Sequence, residues 1–295
     1  MSRPNTAPVT DGRVVGSFRH ATAPIGTTLR APQLRLLRPD RERTPESGLY
    51  HAHIGIHTGT RKPISVWLLR PSLTPTAIDA NQLVDDVIRA AQVRHTNIER
   101  FVDVGEHESG MYIAWERAPG TVAEVSYYAG DRLSVPRTVS GMAAALAVAH
   151  RSLLVHGCMT MGDVCLRNGT PTIMGIGVWS FRRRALAAVL INDPTSSIAP
   201  EVQMSGAVSP RADVYSLAAI ATQLVLRTGT SLPVATLRAS LAVQHPKMSL
   251  LHAALDPSPE KRPSDPLAVA AEFEECWRGF PPRRSRAERA LTFLD

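Results

Sequence analysis

A chain of 295 residues, 44% hydrophobic and 20% charged, is long enough for one large core or two small ones. Aromatics make up only 5%, so that core must be mostly Leu, Val, Ile and Ala. The formal net charge of +7 permits nucleic acid, an acidic protein or anionic lipid as partner. However, Lys occurs only at Lys62, Lys247 and Lys261, and Arg spread along a chain reads as solvated faces rather than a nucleic-acid patch. Three cysteines, Cys158, Cys165 and Cys276, lack paired spacing. This argues against a disulfide framework and for a reducing compartment. No His or Cys set has zinc-ligand spacing. The longest charge-free apolar run, Val214 to Leu226, is shorter than the ~18–20 residues that span a bilayer. With no apolar signal core at the start of the chain, the expected location is cytoplasmic.

In chain order, residues 1–28 are rich in Pro, Thr and Gly and read as a flexible tail. Leu34, Leu36 and Leu37 suggest a first strand. GLYHAHIGI (48–56) alternates as a second, and after the turn HTGTRKP the segment ISVWLLR (64–70) reads as a third. Leu83, Val84, Val87, Ile88 and Ala91 have helical spacing, with Asp79 as a cap near the start of a helix over 81–93. Two more strands are expected at 98–104 and 111–116, and a hinge at 116–120. Beyond it the chain reads as helical: an Ala-rich helix at 139–155, a helix at 213–226 apolar on all sides and therefore buried, and helices at 231–243 and 266–277. The tail PPRRSRAERALTFLD joins a basic cluster to a short apolar end. The sum is an α+β chain in two parts, β-rich then helical.

Several strings then fall in register. RHTNIERFVDVGE follows the first helix; APE stands at Ala199-Pro200-Glu201; ADVYSLAAI contains Asp213; DPSPEKRPSD contains Arg262. This ordered set resembles the protein kinase superfamily, especially bacterial relatives of the eukaryotic-type Ser/Thr kinases, over about residues 34–278. The resemblance implies a bilobal fold over 29–280, with a small β-rich N-lobe (29–118) and a larger helical C-lobe (119–280), followed by a basic tail (281–295). It also implies that Glu201 and Arg262 form a buried ion pair and that Asp213 accepts backbone N–H groups.

The family's chemistry is positioning plus charge neutralisation around phosphate. On the resemblance, the strand Lys position falls on Trp67 and the helix Glu position on or near Asp86. RPDRERTPES stands where a Gly-rich loop should, with no glycine to let backbone approach phosphate. H-R-D reads His156-Gly157-Cys158, the following Lys is Thr160, the magnesium Asn is Asp163, and D-F-G is Gly175-Ile176-Gly177. Trp115 takes the gatekeeper position, so Trp67 and Trp115 are expected to fill the nucleotide space. A nucleophile at Cys158 is the weaker reading, because His156 packs inward and no third group is in place. The expectation is a pseudokinase without catalytic residues, metal or cofactor, and with no binding of ATP or magnesium. Its partner would be a protein, either an active kinase or an assembly component. The basic run Phe181-Arg182-Arg183-Arg184 and the acceptors Thr195, Ser196 and Ser197 are the features of its loop. The alternatives are a divergent nucleotide-binding phosphotransferase and, below it, a nucleic-acid-binding protein.

Overall fold

The structure is a computed structural model that describes residues 34–39, 50–69, 77–107, 110–117, 120–121, 134–179, 197–226 and 232–278. The two tails, all of the Gly-poor RPDRERTPES after Pro39, the runs 122–133 and 180–196, and Ala118 and Pro119 of the expected hinge lie outside these. Two compact units emerge. One gathers the described residues of Met1–Thr74 and Val102–Arg117; the other gathers those of Pro75–Phe101 and Ala118–Asp295.

The first unit is a five-stranded sheet of β1 (Leu34–Pro39), β2 (Tyr50–His57), β3 (Pro63–Leu69), β4 (Phe101–His107) and β5 (Gly110–Glu116), in the order β1-β2-β3-β5-β4. β3 is central and antiparallel to both β2 and β5. Its alternating side chains serve two faces. Ile64, Val66 and Leu68 pack with Leu34, Tyr112 and Ala114 on one. On the other, register sets Trp67 opposite Ala52 and Ile113, and Ser65 opposite Trp115. Both faces are buried along β3, which is why its sequence is an apolar run rather than a half-polar alternation.

The second unit holds α1 (Ala77–Gln92), β6 (Gly120–Thr121), α2 (Val135–Arg151), β7 (Val164–Arg167), β8 (Thr170–Ile173), α3 (Pro200–Ser205), α4 (Pro210–Leu226), α5 (Val234–Gln244), α6 (Ser249–Ala254) and α7 (Pro266–Arg278). β6, β7 and β8 form a small antiparallel sheet. α4 is its axis: every residue from Ala212 to Val225 is buried, and α2, α5 and α6 pack around it. α2 starts at the Ser134 hydroxyl, which accepts the Arg137 N–H, and ends with His150 and Arg151 against the negative end of the helix dipole. α6 begins at Met248, which cannot cap. Glu272 of α7 does so instead, its Oε2 accepting the Leu250 N–H at 2.7 Å and its Oε1 the Ser249 hydroxyl at 2.6 Å.

The helix expected at 81–93 starts earlier, at Ala77; the side chain of Asp79 is outside the described set. This helix was grouped with the small β-rich part from sequence, yet α1 packs with the second unit. The reason is Gly177. A Cβ there would stand 2.7 Å from the Ala90 Cβ and 3.2 Å from the Asp86 carbonyl, so the missing methyl lets α1 close on the turn at 176–177.

Candidate functional site

α2 delivers the chain through the buried Leu154 to a turn at His156–Asp163, held by the carboxylate of Asp213 in the first turn of α4. Asp213 is fully buried. Its Oδ2 accepts the His156 N–H at 2.9 Å, its Oδ1 accepts the Gly157 N–H at 2.7 Å, and His150 Nε2 lies 2.9 Å from Oδ2. His156 is itself buried, with Nε2 2.9 Å from the Met174 carbonyl. A carbonyl only accepts, so this nitrogen carries the proton. Gly157 has φ +81°, and a Cβ on it would meet the Trp179 ring at 2.7 Å and Val208 at 2.8 Å. A side chain is thus excluded twice, by backbone and by space.

Cys158 is buried, with Sγ 3.9 Å from the His156 carbonyl. The buried Asp163 caps a single 3₁₀ turn, Met161–Asp163, its Oδ2 accepting both the N–H and the hydroxyl of Thr160 at 2.9 Å. From there β7 and β8 lead to Met174, Gly175 and Ile176. Gly175 has φ +86°, and Ile176 is buried in the core of the unit. Ser197 is buried too, and its hydroxyl donates to the Met159 carbonyl at 2.8 Å. That hydroxyl is committed to the fold; Thr195, Ser196 and the Arg182–Arg184 run lie outside the described residues.

Glu201 of α3 and Arg262 form the second anchor. Nη1 and Nη2 reach the two carboxylate oxygens at 2.7 and 2.8 Å. Nε donates to the Asp256 carbonyl at 2.7 Å, Nη2 also to Pro257 and Nη1 also to Arg211. All the N–H groups of a guanidinium are thereby used. Its carbon sits 4.7 Å from the centre of the Tyr215 ring. Burial pushes the Tyr215 phenol up to about 12, against the opposing pull of Arg262. The Ser258 N–H and then Arg238 hold the Asp256 carboxyl below its ordinary value.

The sequence reading missed a buried cluster on β7 and β8. Glu99, after α1, accepts from Arg167 of β7 at 2.5 Å and from the Thr172 hydroxyl of β8 at 2.9 Å. Its signal was a carboxylate inside an otherwise apolar strand pattern. His150 was missed likewise; the signal was a His in the last turn of α2, six residues before His156. Trp179 had one too, a Gly at 157 where the resembled motif has a long side chain.

In the first unit Trp67 and Trp115 are 1% and 2% exposed, with ring centres 4.5 Å apart and planes at 59°. Lys62, in the turn before β3, lies 3.9 Å from Glu116 and is mostly exposed. Asp86 of α1 pairs with Arg89. The structure thus brings His156, Cys158, Asp163, Gly175 and Asp213 into one neighbourhood of the second unit, with Glu201 and Arg262 as a separate anchor. Among the described residues no three His, Cys, Asp or Glu side chains are grouped so as to hold a metal ion. No described helix is long and apolar enough to cross a membrane.

No family model matches the sequence. The Hormonally up-regulated neu tumor-associated kinase homolog B of Xenopus laevis is 25% identical over 247 residues, which are 73% of this chain and 38% of that protein. The chain therefore spans well under half the length of that curated relative. Among solved structures, the PknI kinase domain of Mycobacterium tuberculosis is similar with a TM-score of 0.64 at 20% identity, covering 85% of this chain and 99% of that one. A point mutant of the same domain gives 0.63 at 20%, over 86% and 99%. At such identities the likeness to solved structures is one of architecture. That architecture makes this chain protein kinase-like, with a small β-rich lobe and a larger helical one.

Proposed function

We propose that this kinase-like chain is a pseudokinase, catalytically inactive, working as a protein-binding scaffold or allosteric regulator in signalling or assembly. The observation that carries the reading is the buried indole pair. Trp67 stands at the position where the resemblance expects the phosphate-binding Lys, and its ring lies against Trp115. Phosphoryl transfer needs charge at that place, and an indole brings bulk without charge. Gly175 supplies no carboxylate where the family's magnesium Asp belongs. Cys158 supplies a thiol where a carboxylate would orient the nucleophile. Asp163 keeps a carboxylate, but its Oδ2 is engaged by Thr160. The partner is a protein, an active kinase or an assembly component, met in the cytoplasm.

The divergent-phosphotransferase alternative rests on Asp163, whose carboxylate suits a hard cation once freed from Thr160. Thermal titration with ATP and Mg²⁺ or Mn²⁺, run beside a phosphotransfer assay, separates the two. The inactive reading expects no saturable shift and no transfer. Saturable stabilisation that disappears in Asp163→Ala would replace it with the alternative. The nucleic-acid reading expects binding that weakens steeply with salt, and no binding at low salt removes it.

A further inference from the structure

We draw no further inference here: the strongest candidate, the exposed apolar surface at the end of α2 where Leu153 holds φ +56° with its side chain 85% exposed, carries nothing because nothing in the structure shows what covers it.

Discussion

The carboxylate of Asp213 has no solvent to fall back on, so the fate of its donors sets the effect of changing it. Asp213→Ala leaves the His156 and Gly157 N–H groups without their acceptor. At about 1–3 kcal/mol for each buried unsatisfied group, the variant loses on the order of 4 kcal/mol. Urea unfolding should show a lowered midpoint at unchanged slope. Asp213→Asn keeps one acceptor oxygen and loses about half as much. Glu201→Ala strands a guanidinium with no exposure, at about 3–5 kcal/mol. The three remaining carbonyl partners hold Arg262 in place, so the unfolding should stay cooperative.

The buried phenols give a pH signature at the same scale. Tyr215 is raised from 10.0 to about 12. Tyr112 is raised further by burial and by its hydrogen bond to Asp103, 2.7 Å away. Raised folded values mean that their contribution to stability is complete below pH 10 and is lost as the pH climbs, through about 12 for Tyr215. A tyrosinate absorbance titration should show two late-ionising phenols that appear only with alkaline unfolding. Tyr215→Phe should remove one of them and flatten the loss of stability in that window.

At the scale of elements, what could be read from sequence was whatever has a local pattern. β2 alternates, α1 and α2 recur at helical spacing, β3 is an apolar run because both its faces are buried, and α4 is apolar all round because it is buried from Ala212 to Val225. What depends on distant partners was not legible. β6 is a pair of residues, Gly120–Thr121, defined only by its partner β7. α6 is capped from α7 by Glu272, far along the chain. The allegiance of α1 depends on one missing methyl, at Gly177. The turn after α2 shows the same dependence in testable form. Gly157→Ala drives a methyl to within 2.7 Å of the Trp179 ring at φ +81°. It should destabilise by about 3 kcal/mol, combining overpacking with the left-handed backbone. In Gly157→Ala with Trp179→Ala the steric part disappears. A double-mutant cycle should then return a coupling of about 1–2 kcal/mol, leaving the backbone part behind. Equal, additive losses would mean that Trp179 does not hold that space.

Across the whole molecule, the legible and the hidden divide by kind of residue. Anchors such as Asp213 and the Glu201–Arg262 pair sit inside recognisable strings and are tied by several hydrogen bonds each, and the architecture is kinase-like at 20% identity to a solved kinase domain. The proposed losses are single positions spread over both units: Trp67 and Trp115 in the first, Cys158, Asp163 and Gly175 in the second. If they are independent losses, no single reversion restores a phosphate site. Trp67→Lys puts an ammonium in place of an indole that is 1% exposed, beside Trp115, Ile113 and Ala52. Losing the aromatic alone costs about 3–5 kcal/mol, and an unpaired buried charge adds to it. The variant should unfold at much lower denaturant and lose the near-ultraviolet circular dichroism that two indoles 4.5 Å apart generate. It should show no saturable stabilisation by ATP with magnesium, because Gly175 still offers the metal no carboxylate. Trp67→Phe keeps an apolar ring in the strand and should retain most of the stability, which separates the effect of the charge from that of the volume. Saturable nucleotide binding in Trp67→Lys alone would mean that one indole, rather than dispersed losses, stands between this chain and its ligand.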